Sequence, residues 1–417
     1  MANRQFPVRP NLDQLRHQAK DLLHALRSGD ADALADFREC GSKAIDPASA
    51  RLADAQFALA RSYGLPDWPR LVTACRMTDA IQRGDVETVR AMVARDPRLL
   101  DEDARGVKGN WGPPMSYAAT VGQEAIVVML RGLGASDLEQ AFGRACLLGK
   151  IETARTLHAM MGSPRPAGNE LWRPAYTLNL AGTELLLELG APMYDEHGKR
   201  LAPVDTVLET DSRNPAAKHR ILELYVEHGL LLPDTPTMAV HRGRIDLLEA
   251  HLRRDAELLR RRYTHEEIYP PELGCHDVVM ATHGTPLAGA TLLHMCADYG
   301  EIEIARWLLD HGMNVDEHAA VDGDGFGGHT ALFGTIVSQA NFGGKFPDAP
   351  LTRLLLDHGA NPNARASLRK RLHPGYEIEG MHEYRNVTPI GWGKQFIFRT
   401  LVSLAGMRLI AERGGTA

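Results

Sequence analysis

Apolar positions recur at helical spacing along nearly the whole chain, in short segments broken by glycine. Leu12, Leu15, Ala19, Leu22, Leu23 and Leu26 share one helical face, and Gly29-Asp30 ends that segment. Ala33, Leu34 and Phe37 begin a second helix. Leu52, Ala55, Ala58 and Leu59 mark a third, closed by Gly64, and Pro66 and Pro69 then bracket Trp68. Farther along, Thr291-Leu292-Leu293-His294 opens a helix that runs to Tyr299 and stops at Gly300. The next runs from Ile302 to about Asp310, with Ile304, Ala305, Leu308 and Leu309 on one stripe and Gly312 behind it. Glycine takes the left-handed conformation cheaply, so it is a common helix terminator. A pair of short helices closed by glycines is therefore the unit of this chain.

The pair repeats. Residues 112–136 read in the same frame through Pro114, Ala118-Ala119, Gly122, Ile126-Val127, Leu130 and Gly134-Ala135. Residues 328–363 do so through Gly328, Thr330, Leu332, Leu354–Leu356, His358-Gly359-Ala360 and Asn361-Pro362-Asn363. Weaker units occupy about 75–104, 138–162, 168–192, 201–229 and 236–253, and a last one spans 386–415. The segment 284–318, with Thr291-Leu292-Leu293-His294, Gly300, Leu308-Leu309, Gly312 and Asn314 in order, resembles the ankyrin repeat. That resemblance covers roughly residues 75–415. It implies an all-α ankyrin-repeat solenoid of helix-turn-helix units joined by hairpin fingers. It also implies that Thr291 caps its helix and that His294 hydrogen-bonds neighbouring backbone. The opening stretch, with Leu12-Asp13-Gln14-Leu15, Gln18-Ala19-Lys20, Leu52-Ala53-Asp54-Ala55-Gln56 and Trp68-Pro69-Arg70-Leu71, resembles the helical leader before some bacterial ankyrin arrays. Its expected role is a three-helix cap over the first repeat, because terminal repeats need shielding. The expected division is 1–72 leader, 73–253 degenerate repeats and 254–417 repeats with long insertions.

An ordinary repeat of this kind runs about 33 residues, and the C-terminal units exceed it. Insertions fall at 254–287, 313–329 and 364–387, each at the connection between one unit and the next; a further one, SQANFGGKFPDAP, separates two helices of a single unit. Insertions at equivalent places map to one face of an array, often its binding face. The three swollen fingers are expected to stand side by side.

Composition narrows the function. The net charge is -6 over 417 residues, which argues against nucleic acid as partner. The five cysteines form no CxxC pair, so a disulfide framework or zinc module is not expected, and a reducing, cytoplasmic compartment is. The N-terminus lacks a secretory apolar region, and no apolar run is long enough to span a bilayer. Gly323, Gly325 and Gly328 spell GxGxxG but lack the strand-to-helix setting of a dinucleotide site. Asp322-Gly323-Asp324-Gly325 fails the EF-hand pattern at Phe326 and Phe333. Neither His265-Glu266-Glu267 nor His382-Glu383-Tyr384 completes a zinc-protease helix. No cofactor and no metal is expected.

Chemistry nonetheless accumulates in the fingers. Twelve of the 18 histidines fall in 241–385. Setting aside His294, His311 and His358 as ordinary repeat positions leaves His265, His276, His283, His318, His329, His373 and His382 on or near the insertions. Arg365, Arg369, Lys370 and Arg371 add a basic run suited to anions. Two readings follow. In the first, the array is a scaffold that binds a protein partner on its groove and fingers, with Trp111, Trp172, Phe326, Phe342, Phe346, Tyr376 and Tyr384 as aromatic anchors. In the second, the fingers close a polar pocket over a small anionic ligand, with or without catalysis. Its candidate catalytic residues are His329, His382, Glu383, Tyr384 and Arg385, and its candidate binding residues His276, His283, Asp322, Asp324, Arg371 and His373, with Trp111 and Trp172 as further contacts. The scaffold is the preferred reading.

Overall fold

The computed structural model describes residues 4–40, 49–276, 284–344, 346–372 and 380–417. Its contacts divide it into two compact lobes, Met1–Arg165 and Pro166–Ala417. Helices dominate both. None of those described is long and apolar enough to cross a membrane.

The N-terminal lobe begins with three leader helices, α1 (Leu12–Ser28), α2 (Ala31–Cys40) and α3 (Leu52–Ser62). Asn11 accepts the Gln14 N–H at the start of α1, and Gly29 ends that helix at φ 77°. The C-terminal end lies where Gly29 predicts it. Repeats follow as helix pairs: α4 (Trp68–Arg83) with α5 (Val86–Arg95), α6 (Pro114–Val121) with α7 (Glu124–Gly132), and α8 (Leu138–Leu147) with α9 (Ile151–Met160). First helices stack on first helices, α4 on α6 on α8, and second helices likewise, α5 on α7 on α9. The leader joins this stack through one apolar cluster: Phe6, Leu15, Ala19, Leu59 and Leu65 pack with Leu71, Ala74 and Cys75 of α4. The segment before α1 is also pinned by donors from the repeats. Arg105 donates to the carbonyls of Phe6 and Pro7, and the Tyr117 hydroxyl to that of Val8.

The C-terminal lobe continues the rule with α10 (Trp172–Thr177) and α11 (Leu180–Glu188), α12 (Val204–Glu209) and α13 (Pro215–Glu227), and α14 (Pro236–His241) and α15 (Ile245–Arg254). A short finger helix, α16 (His265–Ile268), precedes α17 (Leu292–Tyr299) and α18 (Ile302–Asp310). Both bounds of that pair agree with the periodicity, and Gly300 and Gly312 sit at φ 76° and 91° behind them. Next come α19 (Ala331–Ile336) and α20 (Pro350–Asp357), the hairpin β1 (Ala366–Leu372) and β2 (Gly380–Val387), and α21 (Pro389–Gln395) with α22 (Leu404–Glu412). Here α14, α17, α19 and α21 form one stack, and α18, α20 and α22 the other. His294 ties two repeats as expected: its Nε2 donates to the His329 carbonyl at 2.9 Å, while its Nδ1 lies 2.9 Å from the Thr291 hydroxyl.

Candidate functional site

The three fingers do stand side by side, and they are stitched together. Tyr263 N–H donates to the Ala290 carbonyl at 2.8 Å, and Gly289 N–H returns to the Tyr263 carbonyl at 2.9 Å. Ala320 N–H then donates to Gly289, and Gly327 N–H to Ser367, at 2.8 and 2.7 Å. Side chains reinforce the row. Arg262 reaches the His318 carbonyl and the Glu317 carboxylate, both at 2.8 Å, and Asp316 accepts the Asn361 N–H at 2.9 Å. Gly327, at φ 119°, leaves no room for a side chain: a Cβ there would meet the Ala320 carbonyl oxygen at 2.0 Å.

Asp322 and Asp324 lie in the middle finger and are engaged within the fold. The Asp322 carboxylate accepts the N–H groups of Asp324 and Phe326, both at 3.0 Å, closing its own turn. Arg369 from β1 grips Asp322 at 2.7 Å and Asp324 at 2.8 Å. Partial burial pushes the Asp322 carboxyl up, but the two N–H groups and Arg369 outweigh it and hold the carboxyl below its usual range. Phe326 is buried beneath two guanidinium groups, Arg369 at 5.1 Å and Arg385 at 4.4 Å from its ring centroid. The glycine-rich loop is thus a closed turn fastened to the hairpin.

The hairpin alternates between faces along its paired stretch, as the pleat requires, up to a bulge where the register shifts between Ala366 and Leu368. Leu368, Lys370 and Tyr384 are buried, and Tyr384 packs edge-on to Trp392 with centroids 4.7 Å apart. Burial pushes the Tyr384 phenol up. The register pairs Arg369 with Glu383, Lys370 with His382 and Arg371 with Met381. Arg371, Met381, Glu383 and Arg385 therefore share the outer, exposed face, where Arg385 pairs with Glu383 at 2.9 Å. The segment 382–385 is split between two faces and does not form one constellation. The basic run is split too, with Lys370 inside and Arg371 outside.

His329 is buried in the core. Its Nε2 donates to the Pro286 carbonyl at 3.0 Å, and its ring meets that of His294 edge-on at 5.2 Å. Burial, then the His294 ring, pull it down to about 3, so it is a neutral imidazole anchoring finger backbone. A cavity of about 190 Å³ touches His329, Asp322, Phe326 and Arg369 beneath the middle finger. His276 lies elsewhere. It is four-fifths exposed, its N–H donates to Glu209 at 2.6 Å, and its ring comes together with Asp205 and Glu209, one helical turn apart on α12. These three are of ligand type with donor atoms within 4.8 Å of one another, but nothing else there points to an ion. Trp172 is half exposed and stacks on Tyr176 at 5.8 Å. Trp111, in the N-terminal lobe, lies under Arg144 at 4.9 Å and against Tyr117 at 5.5 Å. His283, His373 and Tyr376 lie outside the described residues.

The most concentrated chemistry carries no linear motif. Arg213 and Asp298 form a buried pair at 3.1 Å, and Lys218 and Glu301 another at 2.8 Å, joined by His219 at 2.9 Å from Glu301. Tyr299 lies between them, with the Arg213 guanidinium 4.4 Å and the Lys218 ammonium 4.0 Å from its ring centroid. Its hydroxyl donates to the Leu208 carbonyl at 2.8 Å. Burial pulls Lys218 below its usual range against the opposing pull of Glu301. Burial pushes Glu301 up, but Lys218 and His219 outweigh it and leave the carboxyl low. The sequence signal is weak: two acids flank the end of a repeat helix, in Asp298-Tyr299-Gly300-Glu301.

Stacked helix pairs, left-handed glycine stops and edge fingers define a repeat array. The family described as ankyrin repeat matches residues 288–317, covering α17 and α18. Those residues are an ankyrin repeat, and the helix pairs stacked beside them follow the same plan. No curated protein matches it. Among solved structures, the human ASB11 ankyrin repeat domain covers 82% of this chain and 98% of that one at 14% identity, with a TM-score of 0.22.

Proposed function

We propose that the C-terminal lobe is a protein-binding scaffold whose finger row carries the contact. Ankyrin repeats are in general protein-binding scaffolds. The observation that carries the finer reading is the stitched row itself: backbone hydrogen bonds and the Arg369 clamp hold three insertions in register, and the hairpin then presents Arg371, Met381 and Arg385 outward. A pre-ordered surface loses little conformational entropy on binding. Residues 1–72 act as the cap of the array, burying the apolar face of α4.

The test is site-specific photocrosslinking in cells. A photoreactive residue at Met381 is expected to yield a discrete protein adduct. The same residue at Leu133, exposed on α7's C-terminal side, is expected to yield none. Equal adducts at both positions, or none at either, would defeat the reading.

A further inference from the structure

A cleft of about 520 Å³ opens between the start of α14 and the finger 255–272. Its walls are unusual in combining proline with carboxylate. Pro233, Pro236, Pro270 and Pro271 supply flat apolar surface. Five acids line the same space, Asp234, Asp255, Glu266, Glu267 and Glu272, against two arginines. Those arginines are already matched: Arg254 pairs with Asp234 at 3.4 Å and Arg261 with Glu267 at 2.6 Å. Glu266 and Glu272 form no ion pair among the described residues, and Asp255 feels only the Arg261 that Glu267 already holds, so negative charge exceeds positive in the cleft. A second feature points to an occupant. Tyr263, only 2% exposed, lines the cleft, and its hydroxyl is shut from water without a hydrogen-bond partner among the described residues. Such a donor is costly to leave unmade.

We infer that this cleft takes an extended, arginine- or lysine-bearing segment of the partner protein. Long cationic side chains lay their methylene stems along apolar surface while the charged head meets carboxylate, and the proline walls with Glu266 and Glu272 beside them offer both. A shift of the Tyr263 ring toward the cleft would let its hydroxyl donate to a backbone carbonyl of the segment. The inference rests on the scaffold reading and names its partner's chemistry.

The test is fluorescence anisotropy on the full chain with two labelled peptides, one alternating arginine with proline, which cannot become helical, and one alternating glutamate with proline. The arginine peptide is expected to bind, weakening as salt rises, and the glutamate peptide is not. The double variant Glu266→Gln/Glu272→Gln should weaken binding about tenfold, since charge complementarity of this kind is worth of order a tenfold change in affinity. Tyr263→Phe should weaken it less, with circular dichroism unchanged. No binding of the arginine peptide, equal binding of both peptides, or indifference to the double variant would overturn the cationic reading. If that fails while Met381 still crosslinks a partner, the scaffold stands and only the partner's charge is wrong. If Met381 captures nothing, the scaffold itself falls whatever the peptides do.

Discussion

The two lobes use the same helix-pair unit and solve different problems with it. In the N-terminal lobe the leader meets the repeats through aliphatic and aromatic contacts and a few donors from Arg105 and Tyr117. Although Arg105, Arg144 and His158 are buried there, no Asp or Glu is among its buried described residues. In the C-terminal lobe Arg213, Lys218, Lys370, Asp298, Glu301 and four histidines are buried. The difference follows from the insertions. A long finger carries irregular backbone into the interior, and each carbonyl it brings needs a donor. His241 donates to Ile268 at 2.8 Å, Thr237 to Glu267 at 2.6 Å and His329 to Pro286 at 3.0 Å. Buried polar side chains are how a finger is fastened to a helical stack.

Acid should separate the lobes most strongly. Burial pulls His241 to about 3, His294 to about 4 and His329 to about 3 from an ordinary value of 6.5. These are bases with depressed folded-state pKa values, so the unfolded chain takes up protons first. Their contribution is complete above 6.5 and is lost as pH falls from 6.5 towards 4, at about 1.4 kcal/mol per unit of depression. Hydrogen exchange read by mass spectrometry on the intact chain is expected to show protection failing over α14, α17 and α19 at pH 5 while α4 to α9 keep theirs. Uniform loss across both lobes would break the comparison.

The buried ion pairs sharpen it at single residues. Glu301→Ala strands the Lys218 ammonium in the core, and breaking a buried pair by removing one partner costs about 3–5 kcal/mol. The loss should appear as a lower midpoint in urea, carried by the C-terminal lobe. Replacing both members, Lys218→Met with Glu301→Leu, should recover most of it, because no unpaired charge remains. A double variant as weak as the single one would mean that the pair matters for something other than charge balance, such as the His219 contact.

The helix pairs were legible because their signal is local. Periodic leucines and a glycine at φ above zero specify where a helix of eight or nine residues starts and stops, and α17 and α18 fall where the spacing puts them. The side-by-side fingers were legible too, since insertions at one phase of a repeat must meet on one edge. The roles of the finger residues were not. His329 looked like free chemistry because sequence shows the imidazole but not the Pro286 carbonyl it serves. The segment 382–385 looked like a cluster because neighbours in sequence look like neighbours in space, whereas a strand sends them to opposite faces. The pairing of Arg213 with Asp298 spans 85 positions in sequence and has no local trace at all.

The leader supplies the smallest of these perturbations and the clearest control. Leu15 is buried against Phe6, Leu59, Leu65 and Leu71 in one cluster, a purely apolar contact. Leu15→Ala should cost roughly 2–3 kcal/mol, the low end for such a truncation. The reason is that Leu12, Leu22 and Val107 border the site only partly buried and can close into the space. The cost should be independent of pH between 5 and 7, since the cluster holds no carboxyl or imidazole and burial pushes its Cys75 thiol up to about 12. Exchange protection should fall in α1, α3 and α4 and leave α17 to α22 unchanged. Loss that instead spread through the whole chain would mean that the leader governs more than the first repeat it covers. A change confined to α1 would mean that the repeats hold without their cap.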